Sequence, residues 1–126
     1  MGDYLWHFAV LYGVLSVLKA GFQMGLSLGA PWGHLTLGGQ YPGALPMSVR
    51  LGASLQGLIL MVLAGAVLDA GGVLALGLPG WAVWVAVGVM ALSSLGTMVT
   101  PARAERRLWL PVTLAMLGAA VFVALG

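Results

Sequence analysis

The sequence predicts an all-α membrane protein, a four-helix transmembrane bundle with a long Pro/Gly-rich connection between helices one and two. Lys and Arg number 5 and Asp and Glu number 3 among 126 residues, while 61% of the residues are hydrophobic. Soluble domains carry about 25% charged residues, so this chain cannot cover a water-exposed surface. Four apolar stretches approach the roughly 20 residues that cross a hydrocarbon core. Lipid requires internal backbone hydrogen bonds, and the stretches lack the alternation of barrel strands, so we expect helices in a single domain, residues 1–126.

Helix one is predicted over about residues 5–28, interrupted by Lys19. A cleaved signal peptide would need a cationic start and a short apolar core, whereas this chain starts with Met1, Gly2 and Asp3 and continues with a long apolar run. We therefore expect a retained first helix.

The other three helices are bounded by charges, prolines and glycines. Helix two is predicted over about 51–68, between Arg50 and Asp69. Helix three is predicted over about 81–98, after Pro79-Gly80 and before Thr100-Pro101. Helix four is predicted over about 108–125.

The connection over residues 29–46 is longer than the 2–8 residues common between bundled helices, and it carries no charge. Its prolines forbid a continuous helix, and Gly38-Gly39 and Pro42-Gly43 indicate turns. Three interpretations are open: an interfacial cap anchored by Trp32 and Tyr41, a re-entrant or lid-like element lining a site, or a surface for docking a partner.

The connection and its neighbours resemble an uncharacterised group of small four-helix bacterial integral membrane proteins with a GxPWG…GG…GxLP…R segment. The resemblance implies four helices and a bacterial membrane, and it supplies no catalytic or binding residue. The matching positions are Phe22-Gln23, Gly29-Ala30-Pro31-Trp32-Gly33, Gly38-Gly39, Gly43-Ala44-Leu45-Pro46, Arg50, Glu105-Arg106-Arg107, Trp109 and Pro111.

The cationic residues predict the orientation. Arg103, Arg106 and Arg107 lie between helices three and four, on the side where Arg50 precedes helix two. Because Lys and Arg accumulate in cytoplasmic loops, we expect a bacterial cytoplasmic membrane protein with both termini outside and the Arg103–Arg107 loop inside. Asp69 then lies on the outer side, opposite Lys19.

Small residues predict how the helices pack. Gly21, Gly25 and Gly29 recur every four residues along helix one, and such stripes allow close approach of a partner helix. They indicate tight packing within the bundle or an interface with a second subunit. We therefore expect either a homo-oligomer or a complex with a partner membrane protein, in addition to contact with the lipid bilayer. We expect no nucleic-acid partner.

Polar residues in or near helix one and the connection are the candidates for binding a substrate. An ionisable group inside a span is by default a functional hypothesis, although Lys19 could also extend towards the interface. The candidate set is Lys19, Gln23, Trp32, His34, Gln40 and Arg50.

The sequence contains few of the residues that enzymes use for catalysis or for binding metals and cofactors. The chain has no cysteine and 2 histidines, which the predicted topology places on opposite sides, so we expect no metal, haem or other cofactor and no catalytic residue. Three classes of function are open: an oligomeric transporter or channel for a small or lipophilic solute, an accessory subunit of a membrane complex, and a lipid-binding protein or small intramembrane enzyme. The scarcity of acid–base groups disfavours the enzyme.

Overall fold

The computed structural model describes residues 2–36, 41, 43–101 and 103–126, without the side chains of residues 2, 3 and 34. Within these residues the α-helices are α1 (Gly2–Ser27), α2 (Met47–Ala70), α3 (Ala82–Val99) and α4 (Arg103–Leu125), and a short 3₁₀ helix spans Gly33–Leu35. No described residue forms a strand. All 4 of these α-helices are long and apolar enough to cross a membrane. The predicted fold class is thereby confirmed, and the protein is an integral membrane protein.

Two helices begin earlier than the apolar stretches suggest. Helix α2 begins directly after Pro46, whose carbonyl accepts the N–H of Arg50 at 3.0 Å. Helix α4 begins at Arg103, so its arginines form the first helical turns rather than a loop. Arginine favours helices, and the acidic Glu105 is favourable at a helix N-terminus. The charged residues therefore extend these helices beyond their apolar parts.

The helices form an antiparallel ring in which each packs against the next and α4 returns to α1. One end, the terminal end, brings the start of α1 beside the end of α4, where the rings of Phe8 and Phe122 stack at 4.4 Å between centroids. The residues after α2 lie there too, because Gly71 packs against Ala9. The opposite end holds both other connections and the arginines, and we call it the arginine end.

The apolar core fills the half of the bundle near the terminal end. All four helices contribute buried side chains to it, and every contributor lies in the half of its helix nearer that end. Dense packing of alanine, valine and methionine closes this half. The buried members are Ala9, Tyr12, Leu60, Leu63, Ala64, Val67, Val83, Ala86, Met90, Met116, Ala119, Ala120 and Val123.

The connection between α2 and α3 is held by one carboxylate. Asp69 accepts the backbone N–H of Leu76 at 2.7 Å and that of Gly77 at 3.2 Å on Oδ1, and that of Leu78 at 3.2 Å on Oδ2. These bonds satisfy backbone donors that no helix uses. Asp69 thus has a structural role at the terminal end, far from Lys19.

The described part of the connection between α1 and α2 folds back onto the arginine end. Gly29, two residues after the end of α1, has a φ of +98°, a backbone conformation that residues with a side chain rarely adopt. A Cβ at this position would lie 3.2 Å from the Arg50 guanidinium. The Nε of Arg50 donates to the Leu45 carbonyl at 2.9 Å. The indole N–H of Trp109 donates to the Leu35 carbonyl at 3.0 Å, which attaches the connection to α4.

Candidate functional site

A polar cleft of about 280 Å³ opens in the arginine half of the bundle, where the apolar core ends. All four helices and the connection contribute to it, so it lies between the helices rather than on one face. Its lining residues are Lys19, Phe22, Gln23, Thr36, Gln56, Ser93, Gly96, Thr97, Glu105 and Trp109.

The cleft holds one cation and one anion. Lys19 lies two turns before the end of α1, roughly 12 Å along the helix by its rise per residue. Its Nζ lies 5.8 Å from the centroid of the Trp109 ring, within the range of a cation–π interaction. The Glu105 carboxylate, in the first turn of α4, interacts electrostatically with the Lys19 ammonium. The formal charges of the two side chains cancel.

Two amides, of Gln23 and Gln56, and three hydroxyls, of Thr36, Ser93 and Thr97, supply hydrogen-bonding groups in the cleft. The Nε2 of Gln23, a residue that is 4% exposed, donates to the Oε1 of Gln56 at 2.8 Å. One turn further on, the hydroxyls of Ser27 and Ser54 form a second hydrogen bond between α1 and α2. On α3, the Oγ1 of Thr97 donates to the backbone carbonyl of Ser93 at 2.8 Å, which orients the Thr97 side chain, and both residues line the cleft.

Three aromatic rings form a wall at the side of the cleft where α1, α4 and the connection meet. Phe22 stacks on Trp32 at 5.8 Å between centroids and meets Trp109 edge to face at 4.7 Å. Trp109 is 9% exposed, and its bond to Leu35 fixes the indole plane. Because these rings contact one another and the backbone, the wall is preorganised.

A second, smaller recess of about 120 Å³ adjoins the cleft. It shares Gln23, Thr36 and Gln56 with the cleft, so the hydrogen-bonded amides stand between the two spaces. Among the described residues, the rest of its lining carries no polar side chain and consists of Leu26, Leu45, Val49, Gly52 and Ala53.

The structure brings together two of the six predicted substrate-binding residues. Lys19 and Gln23 line the cleft. Trp32 stacks behind the wall, and Arg50 braces the connection at Gly29. The His34 side chain and the whole of Gln40 lie outside the described residues.

The three glycines of the predicted stripe have different surroundings. A Cβ at Gly25 would overlap the Trp32 ring, and one at Gly29 would meet Arg50. Gly21 has open space beside it and lies in a groove between α1 and α2 that also contains Gly57. Two of the glycines therefore pack within the chain, and an interface with a second subunit stays a prediction.

Sequence reasoning missed most of the cleft. Gln56, Ser93 and Thr97 are polar residues inside apolar spans, and their spacing from the helix ends near the connections is the signal that could have grouped them with Lys19. Glu105 enters the sequence analysis only as one of the positions that match the resembled group, with no binding role. Thr36 carried no signal, because its place depends on how the connection folds back.

The arrangement is suited to binding through charge and hydrogen bonds. Among the described residues, no group of three or more His, Cys, Asp and Glu side chains is placed to hold a metal ion.

No protein-family model, no curated protein and no solved structure matches this chain.

Proposed function

We propose that this protein binds a small zwitterion, one that carries an ammonium and an acidic group, in the polar cleft. The zwitterion is either a free solute or the headgroup of a lipid. In this proposal the arginine end faces the cytoplasm. The arginines of the connections and first helical turns lie at that end, and Lys and Arg accumulate on the cytoplasmic side of a membrane.

The observation that carries this proposal is the pair of opposite charges that line the same cleft, Lys19 inside the apolar span of α1 and Glu105 in the first turn of α4. An ionisable residue inside an apolar span is costly and marks a pathway or a site. A ligand with a net charge would leave one of the two protein charges facing a like charge. A zwitterion can place its acid near Lys19 and its ammonium near Glu105, while the amides and hydroxyls accept and donate hydrogen bonds.

A second observation favours transport as an alternative role for the same cleft. Tyr12, Ser16, Lys19 and Gln23 recur at spacings of four, three and four residues, so they lie on one face of α1. Tyr12 and Ser16 are fully buried, and their neighbouring hydroxyls form no hydrogen bond of normal geometry in the described part of the chain. This polar face continues from Lys19, at the inner side of the cleft, to Tyr12, roughly 10 Å further along α1.

Calorimetric titration of the purified protein in neutral detergent at low salt tests the binding. The free-solute probes are glycine and leucine, the headgroup probe is dihexanoyl phosphatidylethanolamine, and the anionic control is dihexanoyl phosphatidylglycerol. We expect at least one zwitterionic probe to bind, and the arm that binds identifies the source. Lys19→Met should weaken that binding at least tenfold, because a charge-assisted contact is lost.

Arg107→Gln is the matched control, because it also removes one positive charge from the arginine half of the bundle. Arg107 lies on α4 at an exposed position outside the cleft. It should leave the affinity within twofold of the wild type. The proposal fails if no zwitterionic probe binds, if phosphatidylglycerol binds as tightly as the zwitterions, or if Arg107→Gln weakens binding as much as Lys19→Met.

A further inference from the structure

We infer that the small recess beside the cleft is a subsite for an aliphatic group, so that the ligand is a zwitterion with a side group of about three or four carbons. This inference rests on the proposed function of the cleft. The two spaces share Gln23, Thr36 and Gln56, and a ligand in the cleft therefore borders the recess directly.

The chemistry of the recess differs from that of the cleft. Beyond the shared residues its side chains are those of Leu26, Leu45, Val49 and Ala53, and the first two are 1% and 2% exposed. An apolar cavity of about 150 Å³ admits benzene, so a space of about 120 Å³ accepts a somewhat smaller alkyl group. An ammonium or carboxylate there would meet no charged side chain among the described lining residues, whereas an alkyl group would be removed from water.

The Gln23–Gln56 hydrogen bond is the partition between the two spaces. A ligand that occupies both must displace this bond or bend around it. Each amide has a donor and an acceptor, and both can pair with the acid and ammonium of the ligand instead of with each other. Gln23 is the buried member of the pair and Gln56 is exposed, so opening the partition needs a new partner only for the Gln23 amide. The acid of the ligand supplies that partner, and a hydrogen bond replaced in this way exchanges at low cost.

The affinities of a series of related zwitterions, measured by calorimetric titration, test the subsite. The probes are glycine, alanine, valine, leucine and phenylalanine, which share the ammonium and carboxylate and differ in the apolar group. Titrated into the wild-type protein, valine and leucine should bind at least tenfold more tightly than glycine, and phenylalanine should bind less tightly than leucine because its ring exceeds the recess.

Two variants change the size of the recess in opposite directions. Ala53→Leu fills it and should reduce the affinity for leucine to the affinity that the wild-type protein has for glycine. Val49→Ala, at a half-buried position, enlarges it and should raise the affinity for phenylalanine relative to leucine. A thermal melt of each variant reports whether it folds. If Ala53→Leu does not fold, the Val49→Ala result still tests the subsite.

The outcomes separate the two proposals. If glycine and the larger zwitterions bind with equal affinity, the cleft binds zwitterions and the subsite is wrong. If only dihexanoyl phosphatidylethanolamine binds, the cleft holds a headgroup and the aliphatic subsite for a free zwitterion is likewise wrong. If no zwitterion binds, the proposed function itself fails. A preference for valine and leucine that survives Ala53→Leu also overturns the subsite.

Discussion

Gly25 and Gly21 lie one turn apart on α1 and differ in one respect, the space beside them. A Cβ at Gly25 would overlap the Trp32 ring, whereas nothing lies within 4 Å of a Cβ at Gly21. The Trp32 ring is stacked on Phe22 at an interplanar angle of 12°. Gly25 is therefore a position where the connection packs directly against α1.

We predict that Gly25→Ala destabilises the protein by about 1–3 kcal/mol relative to Gly21→Ala, the cost typical of overpacking. Both changes gain the same helix propensity, about 1 kcal/mol, so their difference isolates the contact with Trp32. Unfolding in mixed micelles measures both variants. Equal free energies of unfolding for the two variants would show that Trp32 does not pack on Gly25 in the folded protein.

Lys19 shows what a single residue in the sequence can and cannot reveal. Its presence in an apolar span predicted a functional candidate, and the structure places its ammonium in the cleft beside Trp109. Its partner Glu105 lies 86 positions later by residue number, and no local pattern joins the two. The residue was predictable from the cost of burying a charge; its surroundings depend on the packing of α1 against α4.

Among the connecting elements, the segment between α2 and α3 depends on one side chain. Asp69 accepts three backbone N–H groups, from Leu76, Gly77 and Leu78. A nearby control exists in the same segment, because the N–H of Val73 donates to the Leu68 carbonyl at 2.9 Å without involving Asp69.

We predict that Asp69→Asn accelerates hydrogen exchange at the amides of Leu76 and Leu78 by about tenfold. The amide side chain keeps one carbonyl oxygen, so at least one bond to a charged acceptor, worth about 1.5–3 kcal/mol, is lost or weakened. Hydrogen exchange with mass spectrometry measures these amides, and the Val73 amide should be unchanged. Equal acceleration at Val73 would mean that the whole segment unfolds and that the carboxylate is not a local clamp.

The helices were more predictable than the connections. The apolar stretches locate all four helices, because crossing lipid fixes their length and composition. The ends are displaced where polar residues continue a helix, as at Met47 and Arg103. The return of the connection onto Trp109 could not be predicted, because it depends on a hydrogen bond between residues 74 positions apart.

For the molecule as a whole, the apolar core and the cleft divide the bundle into a closed half and a polar half. The sequence composition predicts insertion in a membrane, but it does not predict this division. The core depends on the alignment of small and apolar faces from four antiparallel helices, and the cleft begins where those faces carry Lys19, Gln23, Ser93 and Thr97 instead.

If the alternative role in transport holds, flux should depend on the polar face of α1. We predict that Ser16→Val slows uptake of radiolabelled leucine into reconstituted vesicles about tenfold, because the solute loses a hydrogen-bonding group in the low-dielectric interior. Ser48→Ala removes a hydroxyl from an exposed position and serves as the control. Absence of uptake by the wild-type protein, or an equal effect of both variants, would leave binding without transport as the role of the cleft.

The attachment of Leu35 to Trp109 has a mechanical consequence. The chain consists of two hairpins, α1 with α2 and α3 with α4, and residues 71–81 join them covalently at the closed end. At the other end the hairpins are held by noncovalent contacts, of which the indole bond to the Leu35 carbonyl is one. Any separation of the two hairpins at this end would therefore strain the indole bond, whereas residues 71–81 keep them joined at the other end.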